Sequence, residues 1–118
     1  MWSYDQSSGE LRHDGEFEGT GYSGMGIGRN RPEAQAIPNT GPIPQGRYKI
    51  GQQYDDPHLG PCVMHLDPEP ETEVFGRSLF RIHGDNQRHD ASHGCIILGP
   101  SIRRLIARSA DDELEVLP

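Results

Sequence analysis

The sequence predicts a mainly β fold, a sandwich or barrel of short strands with one short helix near the C-terminus. Apolar residues make up 32% of the 118 residues and cluster in short runs. Those runs are separated by 15 glycines and 10 prolines, which leave little room for long helices. The length suffices for one hydrophobic core but not for two, so we expect a single domain spanning residues 1–118.

The first part of the chain predicts short strands joined by tight turns. In residues 9–30, large apolar residues recur at short spacing among glycines and polar residues: Leu11, Phe17, Tyr22, Met25 and Ile27. Residues 37–46 contain three prolines, which exclude a regular helix and disfavour a central strand. We interpret this segment as an ordered loop leading into a strand at residues 47–50, with a flexible linker as the alternative.

The middle of the chain predicts two strands, at residues 62–66 and 78–83, on either side of an acidic turn at residues 67–73. In the second strand, alternation places Phe80 and Ile82 on one face. Leu79, Arg81 and His83 then share the opposite face. We therefore expect an apolar face directed at the core and a second face that carries Arg81 and His83.

The C-terminal part predicts a buried strand, a helix and a closing strand. Residues 96–98 form an apolar run, and the Gly-Pro pair at 99–100 is typical of a helix start. Apolar residues of this helix recur at helical spacing: Ile102, Leu105 and Ile106. Its arginines are expected to face away from the core: Arg103, Arg104 and Arg108. Residues 113–117 predict the closing strand.

Charge and composition narrow the classes of partner. A formal net charge of −7 disfavours binding to nucleic acid, which depends largely on clustered Lys and Arg. No stretch approaches the roughly 20 apolar residues that span a bilayer, so we expect no membrane insertion. The N-terminus lacks a basic region followed by an apolar one, which predicts synthesis in the cytoplasm without a signal peptide.

The densest group of reactive side chains runs from His83 to Cys95. These thirteen residues include three His, two Asp, one Asn, one Ser and one Cys. A neighbouring imidazole and partial exposure favour the thiolate, which is the nucleophilic form of cysteine. Gly94 allows the backbone to approach a substrate carbonyl, and amides around it are suited to an oxyanion. We therefore predict a nucleophilic Cys95 with His83 as its base. Cys62 is interpreted as a bystander, with a single disulfide as the alternative.

These residues resemble a known active-site signature. His83-Gly84 followed by Ser-His-Gly-Cys-Ile at 92–96 resembles the signature of L,D-transpeptidases of the YkuD type. The chain is most similar to the L,D-transpeptidase effector domain of the type VI secretion system, on four motifs: GYSG at 21–24, AIPNTGPIPQGRY at 36–48, HGDN at 83–86 and ASHGCIIL at 91–98. One departure is Ile97, where general L,D-transpeptidases have Arg. Arg81 is our candidate substitute, on strand alternation only.

The resemblance implies a peptidoglycan-modifying enzyme with the β-rich L,D-transpeptidase fold. The family forms a thioester between its cysteine and the third residue of a peptide stem, usually meso-diaminopimelate, and releases D-alanine. Water as acceptor gives L,D-carboxypeptidase activity, whereas an amine gives exchange or a crosslink. The implied partners are peptidoglycan stem peptides and a cognate immunity protein, with no metal and no organic cofactor. The resemblance further implies secretion from the bacterial cytoplasm into the periplasm of a target cell.

The motif match also implies roles for individual residues. The carbonyl of Gly84 is expected to orient the imidazole of His83, and amides near His93, Gly94 and Cys95 are expected to stabilise the oxyanion. Each flanking residue has a second interpretation as an exposed residue or a turn former instead of a substrate contact: Asp85, Asn86, Ser92 and His93.

Two alternatives belong to other functional classes. His83, His89, His93 and Cys95 are potential ligands of a hydrolytic zinc site. Against this, His93 and Cys95 are only two residues apart, and no second cysteine pair exists. The other alternative is a peptidoglycan-binding domain without turnover, which an intact His83 and Cys95 pair argues against.

Overall fold

The computed structural model describes all residues, Met1–Pro118, and shows a mainly β protein, so the predicted fold class is confirmed. Two short 3-10 turns lie at Gly26–Gly28 and Pro32–Ala34, and the one α-helix, α1, spans Pro100–Arg108. The strands are β1 (Trp2–Asp5), β2 (Glu10–His13), β3 (Glu16–Thr20), β4 (Tyr22–Ser23), β5 (Gly46–Ile50), β6 (Tyr54–Asp56), β7 (Gly60–Pro68), β8 (Arg81–His83), β9 (Ile96–Ile97) and β10 (Glu113–Leu117). None of the helices has the length and hydrophobicity to cross a membrane.

The strands form one nearly closed, barrel-like sheet. Its order is β3-β2-β1-β10-β5-β7-β8-β9-β4, and β6 pairs with β7 beside this path. Most neighbours are antiparallel, but β1 runs parallel to β10 and β8 runs parallel to β9. The first parallel pair joins the two ends of the chain. The second brings together the two segments that carry the reactive cluster.

The core fills the space enclosed by the sheet, because alternate residues of each strand point inward. On β10, Leu114 and Val116 are buried while the residues next to them are partly or more fully exposed. The largest side chains at the centre of the core are fully buried: Trp2, Tyr4, Tyr48, Met64, Ile82 and Ile96. Helix α1 covers β7 and adds Ile106 to this core.

Several local predictions are confirmed. Short strands and turns occupy residues 9–30, and the proline-rich segment 37–46 is an ordered loop. In that loop, Ile43 is fully buried and its amide donates to Ser23 Oγ at 2.9 Å. Strands β5, β7 and β10 lie where the sequence predicts them, although β7 extends two residues into the expected acidic turn. Both cysteines are free, so the disulfide alternative is wrong.

The strand predicted at residues 78–83 is shorter than expected. It begins at Arg81 because Leu79 has a φ of 64°, a left-handed conformation that interrupts an extended chain. Leu79 is therefore not part of an alternating face, and 71% of it is exposed. Beyond this point Ile82 is buried in the core, as the alternation predicts.

The orientation of the helix also differs from the prediction. Arg103, expected to face away from the core, is only 6% exposed, whereas Leu105 is 44% exposed. The guanidinium of Arg103 donates from Nη1 to the carbonyl of Pro61 at 2.8 Å, which partly compensates for its burial. Helical spacing alone does not reveal this carbonyl, because it belongs to a distant part of the chain.

Candidate active site

The parallel pairing of β8 with β9 places the reactive residues at one end of the sheet. Ile82 pairs with Ile96, so Cys95, one residue before β9, is level with Arg81. Side chains alternate along each strand, so Arg81, His83 and Cys95 lie on one side of the pair. The two isoleucines point to the other side, into the core. Because the two strands are parallel, the loop between His83 and Cys95 crosses from the C-terminal end of β8 back to the N-terminal end of β9.

A cavity of about 210 Å³ contains both Cys95 and His83 in its wall. Cys95 is 8% exposed and His83 is 3% exposed, so a substrate must enter this cavity to reach either group. The other residues that line it are Asn39, Leu59, Ser78, Leu79, Phe80, Arg81, Ala91, His93 and Gly94. The structure therefore brings Cys95, His83, Arg81, His93 and Gly94 to one site.

The imidazole of His83 is oriented by the backbone. Its Nδ1 lies 2.9 Å from the carbonyl oxygen of Gly84, an acceptor that requires the proton on Nδ1. Nε2 is then left with a free lone pair, as a general base requires. Burial lowers the pKa of His83, and the nearby cations Arg81 and Arg103 act in the same direction. The imidazole is therefore neutral near pH 7.

The thiol of Cys95 lies between a carbonyl and two guanidinium groups. Its Sγ is 3.7 Å from the carbonyl oxygen of Leu79, which accepts a weak S–H hydrogen bond. Burial raises the pKa of the thiol, while hydrogen bonding and charge from Arg81, together with the charge of Arg77, oppose that rise. In the free protein the thiol is protonated, and two cations are positioned to stabilise the thiolate once it forms.

Ser92 holds the turn that presents Cys95. Its Oγ donates to the carbonyl of Cys95 at 2.7 Å and accepts from the amides of Gly24 and Gly94 at 2.9 and 3.2 Å. The side chain is fully buried, so it does not reach a substrate, and the turn-forming interpretation is the one the geometry supports. The Gly94 amide is engaged here, whereas the amides of His93 and Cys95 donate to no protein acceptor.

The loop after Gly84 is organised by Asp85. Tyr22 donates its hydroxyl to Asp85 Oδ1 at 2.6 Å, and His89 Nδ1 lies 2.7 Å from Asp85 Oδ2. The Tyr22 hydroxyl in turn accepts from the amide of Ala91 at 2.9 Å. Asn86 closes the loop through a 2.8 Å bond from its side chain to Asp90. Asp85 and Asn86 therefore form a turn, and neither lines the cavity that contains Cys95.

Arg77 is a part of the site that the sequence did not indicate. It is 8% exposed and donates to the carbonyls of Gln35, Gly41 and Pro42, with no carboxylate partner. Gly94 has a φ of 124°, and a side chain there would collide with the Arg77 guanidinium. Arg77 thus connects the proline-rich loop to the cysteine turn. A single arginine within a polar segment carries no periodic or motif signal that would have identified it.

Arg81, our candidate for the arginine missing after the cysteine, lies at the site. It lines the cavity and its guanidinium is beside the thiol of Cys95 and the hydroxyl of Tyr54. Its Nε is buried without a hydrogen-bond partner. Ile97, at the position of the departure, is buried and points away from solvent. A cation is therefore present next to the thiol, supplied by a different strand.

The zinc alternative does not match the geometry. His83, His89, His93 and Cys95 do not converge, and His89 is directed at Asp85 with 73% of its side chain exposed. The one place where three metal-ligating side chains meet is His13, Asp14 and Asp111. There the amino group of Met1 already lies 2.7 Å from both carboxylates. The four-residue zinc site expected as an alternative is therefore wrong.

Comparison with known protein families finds a match over most of the chain. A family model described as the Tlde1 domain matches residues 18–116. The matched span contains every residue of the cavity, and it leaves β1 and β2 outside. No curated protein matches the chain.

Proposed function

Because the chain belongs to the Tlde1 domain family, a family of type VI secretion L,D-transpeptidase effectors that act on peptidoglycan, we propose that it is a cysteine enzyme of peptide stems. The proposed reaction is cleavage of the tetrapeptide stem after its third residue, the L,D-carboxypeptidase reaction. Exchange of D-amino acids or crosslinking, the L,D-transpeptidase reactions, follows from the same intermediate. The observation that carries this proposal is the single cavity that contains both Cys95 and His83.

The first step forms the thioester. Nε2 of His83 accepts the thiol proton of Cys95, and Sγ attacks the carbonyl carbon of the third stem residue. The C–S bond forms as the carbonyl electrons move to oxygen. When the tetrahedral intermediate collapses, the C–N bond breaks and His83 returns the proton to the nitrogen of the departing D-alanine. The Gly84 carbonyl keeps Nδ1 protonated, so Nε2 both accepts and returns this proton.

The oxyanion of the tetrahedral intermediate needs donors within the cavity. The amides of His93 and Cys95 have no protein acceptor and lie at its wall, so they are available to a substrate oxygen. Removing one such donor from an enzyme costs about 3 to 4 kcal/mol of transition-state stabilisation. Arg81 adds positive charge at the same wall, and its effect is strengthened by the exclusion of water.

The second step determines which product is made. Water or an amine attacks the thioester carbonyl, His83 accepts its proton, and the C–S bond breaks to regenerate the Cys95 thiol. Attack by water gives the tripeptide, whereas attack by a D-amino acid or by the side-chain amine of another stem gives exchange or a crosslink. Cys95 and His83 act in both reactions. The product therefore depends on whether water or an amine occupies the surface beside the thioester.

The test uses disaccharide tetrapeptide with and without a D-amino acid, and mass spectrometry of the products. Wild-type protein should release D-alanine, whereas Cys95→Ala should lose at least about a thousandfold in rate because the nucleophile is absent. Cys62→Ala is the matched control, since Cys62 is equally buried but lies outside the cavity. If folded wild-type protein binds the tetrapeptide and makes no product, the binding domain without turnover is the better interpretation.

The biological role is proposed on the family alone. We propose that the chain is delivered to the periplasm of a target bacterium and that the producer makes an immunity protein against it. Expression directed to the periplasm should then inhibit growth, while cytoplasmic expression should not, because stem peptides are in the periplasm. Cys95→Ala directed to the periplasm is the control. Equal tolerance of wild-type protein in both compartments would contradict the toxin role.

A further inference from the structure

A second groove adjoins the cavity that contains Cys95. It has a volume of about 480 Å³, larger than the cavity itself. Leu59 lines both spaces, so they meet at the connection between β6 and β7. Its lining includes Gly84, Asp85, Gly99, Pro100 and Arg103. Because Gly84 follows His83, a molecule in the groove lies beside the catalytic base.

Arg103 is a nearly buried cation without an anionic partner in this groove. It is 6% exposed, and Nη1 makes its one hydrogen bond, to the carbonyl of Pro61. Its Nε is buried without a partner. A side chain at Gly84 would lie 2.9 Å from Nη2, so the guanidinium rests against the bare backbone of that glycine. Burying an arginine without a carboxylate is costly, and a bound anion would offset this cost.

The start of helix α1 points to an anion as well. Gly99 and Pro100 line the groove, and α1 is nine residues long. No side chain caps the first turn, and no acidic residue lies in it. The positive end of the helix dipole therefore lies at the groove together with Arg103. The helix start and the buried guanidinium favour the same charge on a ligand.

Asp85 supplies a negative charge on the other side of Gly84. Its carboxylate contacts His89, not Arg103, so the carboxylate and the guanidinium of the groove remain separate. Hydrogen bonds from Tyr22, Asn86 and His89 hold the carboxylate in place. Two fixed, opposite charges flanking a glycine match a ligand that carries both an ammonium and a carboxylate on one carbon.

We propose that this groove binds the zwitterionic head of an α-amino acid, with its carboxylate at Arg103 and the start of α1 and its ammonium at Asp85. The proposal deepens the proposed function and rests on it. Peptidoglycan chemistry offers two sources for such a group. One is a free D-amino acid that accepts the acyl group, and the other is the amino-acid end of the diaminopimelate side chain in the donor stem.

The test measures binding to Cys95→Ala protein, in which turnover does not interfere, by NMR titration with D-alanine, D-alaninamide and D-lactate. D-alaninamide lacks the carboxylate and D-lactate lacks the ammonium. We expect D-alanine to shift the amides of Gly84, Asp85 and Gly99, and to bind at least about tenfold more tightly than either analogue, as the loss of a charge-assisted contact predicts. Equal binding of all three compounds, or no shift in the groove, would overturn the proposal.

Two further substitutions test which residue binds the carboxylate of the ligand and which binds its ammonium. Adding Arg103→Gln should remove the preference for D-alanine over D-alaninamide, and adding Asp85→Asn should remove the preference over D-lactate. If the glutamine variant does not fold, Arg103→Lys replaces it: the ammonium cannot make the two-donor contact of a guanidinium, so the preference for D-alanine over D-alaninamide should fall, and an undiminished preference would contradict binding at Arg103. If Arg103→Gln folds and keeps the full preference, the carboxylate does not bind at Arg103, and the proposal is wrong.

Tetrapeptides distinguish the two sources of the amino-acid group, the acceptor D-amino acid and the donor side chain. The carboxylate of the diaminopimelate side chain is free in one tetrapeptide and amidated in the other. If the donor side chain occupies the groove, amidation weakens tetrapeptide binding and the tetrapeptide displaces D-alanine. If the groove belongs to the acceptor, both bind together and amidation has no effect. Either result supports the proposal. The proposed function is tested separately, in the product assay. There, failure of wild-type protein to release D-alanine from tetrapeptide would contradict the proposed function.

Discussion

The thiol and the imidazole of the site respond to burial in opposite directions. Water stabilises the charged form of each, so burial raises the pKa of Cys95 and lowers the pKa of His83. The resting pair is therefore a neutral thiol and a neutral imidazole, not a thiolate and an imidazolium. In the proposed mechanism, the proton moves from Cys95 to His83 only when the substrate is in place, and the charges of Arg77 and Arg81 then stabilise the thiolate.

This pair predicts a broad pH profile for kcat/KM, which reports the pKa values of the free enzyme. His83 is an effective base only when neutral, and its lowered pKa keeps it neutral to more acidic pH, so the acid limb should lie below the ordinary imidazole range. The alkaline limb should lie above the range of an ordinary thiol, because the raised pKa keeps Cys95 protonated. Tripeptide release across the pH range measures both limbs.

Alkylation provides an independent check of the resting state. In a Cys62→Ala background, the rate of Cys95 alkylation by iodoacetamide should rise only at pH values above those of a free thiol. Cys95→Ala in the same background controls for reaction elsewhere. Rapid alkylation at mildly acidic pH would indicate a preformed thiolate and would contradict the neutral pair.

Two loop elements meet at the site, and Arg77 joins them. Phe75, two residues before Arg77, and Leu79, two residues after it, have φ values of 57° and 64°. This left-handed conformation costs roughly 1 to 2 kcal/mol for a residue with a side chain. The hydrogen bonds of Arg77 to the carbonyls of Gln35, Gly41 and Pro42 offset this cost. The carbonyl of Leu79 then contacts the Cys95 thiol. The backbone near Cys95 is thus held by contacts of a residue outside the motif.

Removing the Arg77 guanidinium should therefore weaken both the fold and the site. Arg77→Gln leaves buried carbonyls without donors, at about 1 to 3 kcal/mol for each group. We expect the free energy of unfolding in urea to fall by about 3 kcal/mol and kcat/KM to fall as well, because Gly94 loses its support. Arg31→Gln is the control, since that side chain is 65% exposed and should change stability by less than about 0.5 kcal/mol. Equal stability of the two variants would contradict this account.

Across the whole molecule, the two ends of the chain are joined at the centre of the sheet. Strand β1 lies between β2 and β10, and its residues Trp2 and Tyr4 are fully buried in the core. The family match begins at residue 18 and so excludes β1, although the sheet depends on it. We propose that residues 1–118 fold as one cooperative domain, in which the N-terminal strand supports the site from the opposite side of the barrel.

Deletion of residues 1–8 should therefore prevent folding, although every residue of the candidate site remains. The deletion removes two large core side chains and leaves β10 without a neighbour on one side. Tyr4→Phe is the control, because the Tyr4 hydroxyl is buried without a partner and its loss should not destabilise the protein. Circular dichroism and a single urea transition report folding. A truncated chain that unfolds cooperatively at the wild-type midpoint would refute the proposal.

The sequence by itself determined the fold class, most of the strands, the one helix and the grouping of the reactive residues. It did so because Gly and Pro spacing, short apolar runs and the residues around His83 and Cys95 are local signals that need no partner elsewhere. Strand β1 was missed because four residues, although they alternate, are too few to distinguish a strand from a turn, and β6 was missed because its three residues contain two adjacent aspartates and no second apolar residue.

Only the tertiary structure decided which strands pair, how deeply the site is buried and which cations support it. The parallel register of β8 with β9 depends on core packing of Ile82 against Ile96, not on the loop that separates them. Arg77 and Arg103 turn inward because backbone carbonyls from distant segments accept their hydrogen bonds. Spacing along one segment holds no information about such acceptors, since they come together only when the chain folds.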